Sequence, residues 1–180
     1  MKMLHASLSL LSLTACLSQE PPANIYVLNA PPAAKDVTKI EKAIEVASPT
    51  AAPGLGTERI ALKHSANTLD YYAGSRWPRP LPEVVQSALV KTLEQDGRFA
   101  SVINDETGTA DDEIITILIQ DFQAEYATKD SAPSIRVTLS TRISDAATHK
   151  ILGSFVVSKN TTAKANTMEE IIRAFDGSLQ

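Results

Sequence analysis

Cys16 is the one cysteine in 180 residues, and what precedes it gives its thiol a specific chemistry. Lys2 is followed by a mostly apolar stretch from Met3 and then by Leu13-Thr14-Ala15-Cys16. A charged start, an apolar run of about ten residues and small residues before a cut make a secretory signal, too short to span a bilayer. In a bacterial lipoprotein box the cysteine sulfur is joined to a diacylglycerol. Cleavage between Ala15 and Cys16 then frees an amine that takes a further acyl chain. Each CH₂ buried in lipid contributes roughly 0.8 kcal/mol, and stable anchoring needs more than one chain, which multiple acylation supplies. The other reading makes Cys16 a small buried hydrophobe after a core helix. It fits poorly with the extreme N-terminal position and with the following Gln19-Glu20-Pro21-Pro22.

The remaining reactive residue types assemble no site. His5 departs with the signal, leaving His64 and His149 without a second cysteine, so no zinc or iron spacing survives and no cofactor is expected. Gly54-Leu55-Gly56 lacks the third glycine and the Lys-Ser/Thr of phosphate loops and reads as a turn. Ser75 in Gly74-Ser75-Arg76 is no nucleophile elbow, and His64 before Ser65 is a chance neighbour rather than half a triad. Asp111, Asp112 and Glu113 suggest calcium or acid/base work at first sight. Consecutive side chains diverge, however, and an acidic run before a strand is usually a solvated loop. Nothing here supports an enzyme.

Removing residues 1–15 leaves 165, enough for one domain that buries about 70% of its unfolded surface without disulfides or metal. Losing Lys2 takes the 17 basic residues to 16, against 21 acidic, or −5. An acidic chain without a basic cluster offers no footprint for nucleic acid and no polybasic hold on anionic lipid. Attachment to a membrane must come from the lipid. The organisation expected is therefore a signal over 1–15, a lipidated tether over 16–24 and one domain over 25–180.

The elements that would carry this domain are legible in outline. Residues 25–28 and 44–46 read as short strands, and the Ala/Pro-rich 48–56 reads as a loop or sheet edge. Residues 59–63 and 69–72 suggest a hairpin around Asn67. Leu81, Val85, Leu89 and Leu93 repeat every four residues, an amphipathic helix opened by Pro82 and stopped by Gly97. Residues 99–103 precede an acidic loop over 104–113. Residues 114–119 are apolar on both faces, as in a strand covered twice, followed by Phe122, Ala124 and Tyr126 inward and Asp121, Gln123 and Glu125 toward water. Residues 135–143 alternate cleanly and 152–157 return as their partner. Thr167 and Glu170 form a capping box before a helix with Met168, Ile171, Ile172, Phe175 and Leu179 on one face. The fold class is α+β, a single two-layer domain with a mainly antiparallel or mixed sheet packed by two helices.

One stretch is distinctive. Gly54-Leu55-Gly56-Thr57-Glu58-Arg59-Ile60 leads through Tyr71-Tyr72-Ala73-Gly74-Ser75-Arg76-Trp77 to Pro80-Leu81-Pro82. With the lipobox at Cys16 and Tyr26-Val27-Leu28 ahead of it, the chain resembles the PqiC-like family of ABC-type transport auxiliary lipoproteins. Its last helix stops at Gln180, shorter than the family pattern. The resemblance implies a non-catalytic accessory to a transporter that pairs an ABC ATPase and permease with an MCE-domain protein and moves lipid between inner and outer membranes. Leu17 is not the aspartate that retains lipoproteins at the inner membrane, so the periplasmic face of the outer membrane is expected. A competing class is an outer-membrane assembly factor or activator of a cell-wall synthase, with the same anchor and a similar small domain. The chain also leaves a homo-oligomer open.

Partner contacts, if the resemblance holds, fall on Tyr71, Tyr72, Arg76 and Trp77. Trp and Arg are enriched in binding hot spots. The ordinary reading is that Trp77 plugs a strand-helix junction while Arg76 is solvated, since a lone Trp is usually highly buried. Tyr71 and Tyr72 must point to opposite faces of a strand, so one lines the core and the other is the better contact.

Overall fold

The computed structural model describes residues 22–29, 38–104 and 112–179. The signal, Cys16, most of the tether and the acidic segment around Asp111 lie outside the described residues. Among the described residues no helix is long and apolar enough to cross a membrane.

Among the described residues, strand β7 (Glu113–Glu125) is the spine of a nine-stranded mixed sheet. One of its edges carries β8 (Ser134–Asp145) in antiparallel register over its whole length, and β9 (Ile151–Thr162) pairs antiparallel outside β8. The other edge is shared among three parallel partners. β2 (Ile40–Val46) takes residues 113–115, β3 (Thr50–Ala51) takes 118–119 and β4 (Arg59–Lys63) takes 123–125. Outside β2 lies β6 (Phe99–Asn104), and outside β4 lie β5 (Asp70–Arg76) and β1 (Asn24–Ile25). Helices α1 (Leu81–Asp96) and α2 (Met168–Ser178) form the second layer, α1 against β6, β2 and β3, and α2 against β8 and β9. The class is α+β, with the sheet packed by two helices, and the sheet is mixed.

A bulge in β7 decides which residues enter the core. Ile119 pairs with Leu139 but Asp121 pairs with Thr138, so one extra residue shifts the parity of the strand. Ile117 and Ile119 before it and Phe122 and Ala124 after it then all lie buried on the helical side. There Phe122 stacks on Phe175 of α2 at 4.9 Å, and Trp77 meets both rings edge-on at 6.0 and 5.5 Å. Such geometries suit the ring quadrupoles and add about 0.5–1.5 kcal/mol per pair beyond burial.

Several expectations are corrected. Among the described residues the first half of β7 is covered on one face only, because both helices lie on the same side, and Leu118 is 39% exposed. Gln123 does not face water but is 1% exposed, beside Ala52, Leu55 and Leu69. Its amide is satisfied there. Oε1 accepts the Phe122 N–H at 2.8 Å, and Nε2 donates to Asp121 and Glu125 at 3.1 Å each. No capping bond forms at Thr167, since the Glu170 carboxylate pairs with Arg173 instead. β1 is only two residues long. Tyr26 N–H still reaches the Arg76 carbonyl at 2.9 Å, after which Val27 and Leu28 lie beside Val84 and Ala88 of α1 and Asn29 bonds Asp176 of α2. β2 starts four residues earlier than its apolar core suggested, and Thr50–Ala51, within the Ala/Pro-rich loop, makes a strand of its own.

Other signals act as read. Pro82 stands in the first turn of α1, and Gly97 ends it at φ 62°, its N–H reaching the Glu94 and Leu93 carbonyls. At the β8–β9 turn Asp145 accepts bonds from the Thr148 hydroxyl (2.6 Å) and N–H (2.8 Å), which hold its carboxyl below the usual range. His149 occupies that turn with φ 58°, a backbone role.

Candidate functional site

Strand β5 distributes the four contact candidates over two environments. Trp77 follows its last residue and is 1% exposed, the plug of the strand-helix junction. Its N–H donates to the Glu58 carbonyl at 2.7 Å and Leu81 N–H to Thr57 at 3.0 Å, so the residues before β4 hold this junction in place. Arg76 stays at the surface and pairs with Glu58 at 3.1 Å. Both side chains are over two-fifths exposed, so the pair contributes little to stability.

Tyr71 and Tyr72 are both half-buried, neither fully lining the core. The Tyr71 hydroxyl donates to the Gly54 carbonyl at 2.9 Å, and the Arg59 guanidinium lies 3.6 Å above its ring. This is a cation–π arrangement presented at the hairpin surface. Tyr72 shares a 2.8 Å bond with the Tyr126 hydroxyl, which in turn donates to Asn166 at 2.7 Å. Burial, and then the bond to Tyr126, raise the Tyr72 phenol above its ordinary value, as suits a neutral group in a polar relay. Tyr71, Arg59, Arg76 and Glu58 thus make one surface cluster, and Tyr72 anchors the strand behind it.

The groups that could suggest catalysis are dispersed. His64 lies tilted against the Tyr126 ring at 4.9 Å, Ser65 bonds Thr68 at 2.9 Å and Ser75 is buried in β5. No base faces a nucleophile among these contacts. Among the described residues no three His, Cys, Asp or Glu side chains converge as metal ligands would.

A second feature was missed from the sequence. Among the described residues nothing covers the sheet between the C-terminal half of α1 and the end of α2, and an apolar groove of about 350 Å³ forms there. Leu89 and Leu93 form one wall, Leu179 the other, and Ile117, Leu139 and Phe155 the floor. α1 buries only the first half of its stripe, Leu81 to Ala88, which leaves Leu89 and Leu93 to line the groove. Ser178 itself is tied down, its hydroxyl bonded to Thr161 and to the Ala174 carbonyl at 2.8 Å each. Its chemistry is that of binding, because the lining is apolar apart from Thr141, Lys159 and Ser178.

Comparison with known proteins gives the geometry a relationship. The family described as the ABC-type transport auxiliary lipoprotein component matches residues 26–180. No curated protein matches. Among solved structures, protein XCC0632 from Xanthomonas campestris aligns with a TM-score of 0.79 at 20% identity, covering 87% of this chain and 88% of that one. An uncharacterized protein aligns with a TM-score of 0.68 at 10% identity, covering 88% of this chain and 92% of the other. At these identities the two structures bear on the fold alone.

Proposed function

We propose, from the fact that the chain belongs to the family of ABC-type transport auxiliary lipoprotein components, that it is the non-catalytic accessory of an MCE-type transporter moving lipid between the inner and outer membranes. Its domain stands on a lipid joined to Cys16 at the periplasmic face of the outer membrane. Its partners are an MCE-domain protein and the ABC permease and ATPase that drive it. The observation that carries this reading is the family match across residues 26–180, to which the sequence adds the lipobox ending at Cys16. The built surfaces, an apolar groove and a tyrosine-arginine cluster, suit binding.

In this reading the surface of β5 meets the partner, with Tyr71 and Arg76 as the contacts that reach solvent and Tyr72 holding their strand. Trp77 acts through packing and sets the angle between β5 and α1.

Extraction of the tagged full chain from native membranes, followed by identification of what accompanies it, tests the proposal. An MCE-domain protein with its permease and ATPase is expected. Recovery of a cell-wall synthase or a barrel-assembly component in their place contradicts it, as does hydrolytic turnover lost on changing Ser75 or His64.

A further inference from the structure

Strand β9 is the outer edge of the sheet, runs for 12 residues and, among the described residues, pairs only with β8. The Ala163 N–H reaches the Pro133 carbonyl at 2.9 Å across the same ladder. Alternation in an antiparallel pair then turns the backbone groups of Thr161, Lys159, Val157 and Phe155 toward β8. The N–H and C=O groups of Ser154, Val156, Ser158 and Asn160 point away from the sheet.

Proteins blunt such edges by shortness, proline, charge or bulges. β9 has no proline, a single charge at Lys159, and a register shift only at its start, before Gly153. Its apolar side chains are open as well. Ile151, Leu152, Phe155, Val156 and Val157 are 49–60% exposed. Phe155 and Val157 lie on the groove face of the strand and Val156 on the opposite face, so apolar surface flanks the bare backbone edge on both sides.

We propose that β9 pairs antiparallel with β9 of a second copy about a two-fold axis at Val157, joining two sheets into one. An isologous contact requires a surface complementary to itself. With the axis at Val157, that residue meets its own copy, Val156 meets Ser158 and Phe155 meets Lys159. The one cation of the strand thus lies against an aromatic ring rather than another cation, whereas an axis at Lys159 opposes like charges. The outward groups of residues 154, 156, 158 and 160 all find partners. The contact brings Phe155, Val157 and the Lys159 stem on one face, and Val156 on the other, against their counterparts across the new ladder. Because Phe155 and Val157 also line the apolar groove, the second copy extends the floor of that groove. The pairing does not depend on the transport reading.

Disulfide trapping in native membranes tests it. Across the axis Val157 forms a non-hydrogen-bonded pair, whose Cα separation of about 4.5 Å suits a disulfide. Under mild oxidation Val157→Cys is expected to give a covalent dimer, while the wild-type chain, which retains Cys16, and Lys91→Cys on the exposed face of α1 do not. Adding Val156→Pro removes an outward N–H without touching the ladder to β8, and is expected to abolish the cross-link with thermal unfolding still cooperative. In detergent, the wild-type chain is expected to sediment at twice its monomer mass and Val157→Lys at the monomer mass. Failure of Val157→Cys to cross-link, equal cross-linking at Lys91→Cys, survival of the dimer in Val157→Lys, or trapping of a different protein at position 157 overturns the proposal.

Discussion

Trp77→Ala removes a side chain that is 1% exposed and touches two aromatic rings, so its cost can be worked from the core. Truncating a buried Trp costs about 3–5 kcal/mol, the lost transfer energy plus the cavity left behind. For a domain of this size each kcal/mol lowers the midpoint of thermal unfolding by roughly 2–4 °C, so a fall of about 6–20 °C is expected. Against a total stability of about 5–15 kcal/mol that is a large share. Circular dichroism is the assay, because Trp77 is the chain's single tryptophan and its removal erases the fluorescence signal. A double-mutant cycle with Phe175→Leu isolates the edge-on contact, with a coupling of roughly 0.5–1.5 kcal/mol. Arg76→Ala, at an exposed pair, is expected to change stability by no more than ~1 kcal/mol. A Trp77→Ala chain as stable as the wild type but unable to hold its partner would refute the assignment of Trp77 to packing.

Gln123→Ala leaves the Phe122 N–H without its acceptor in a buried site, and denaturant unfolding should show a loss of about 1–3 kcal/mol. Gly54→Ala must hold a backbone at φ +88°, while the exposed end of the Leu69 side chain can move aside for its Cβ, so a loss of about 1–3 kcal/mol from backbone strain is expected by the same measurement. The raised Tyr72 phenol makes stability depend on alkaline pH. Above its ordinary value of 10.0 the unfolded chain releases this proton while the folded chain keeps it, so stability present below pH 10 falls as pH rises past it. Tyr72→Phe should flatten that fall in a series of denaturant titrations, at a cost of about 1 kcal/mol at neutral pH for the bond to Tyr126.

What could be read from the chain followed the range of the signal. The four-residue period of Leu81, Val85, Leu89 and Leu93 with Gly97 behind it is local, and α1 ends where that glycine requires a left-handed turn. The alternation of residues 135–143 likewise specifies β8 by itself. Even the parity change in β7, from Ile117 and Ile119 to Phe122 and Ala124, is visible in the sequence, although the bulge that causes it is seen only in the ladder to β8. Long-range pairing left no such mark. Thr50–Ala51 is a strand only because residues 118–119 lie beside it, and no local residue announces that β2, β3 and β4 run parallel to β7. Gln123 looked solvated because its neighbours in the chain are charged. Its neighbours at that face, Ala52, Leu55 and Leu69, lie far away in sequence. The groove was hidden for a related reason. Leu89 and Leu93 belong to the same stripe as Leu81 and Val85, and only the tertiary packing of α1 decides which half of the stripe is covered.

The anchor at Cys16 is the claim on which the placement of this domain in the envelope rests, and mass spectrometry of the N-terminal peptide of the native chain tests it most directly. A peptide beginning at Cys16, with a diacylglyceryl thioether on its sulfur and an acylated amine, is expected. A chain that still begins at Met1, or that carries a free Cys16 thiol and leaves the membrane with the aqueous fraction, contradicts the account.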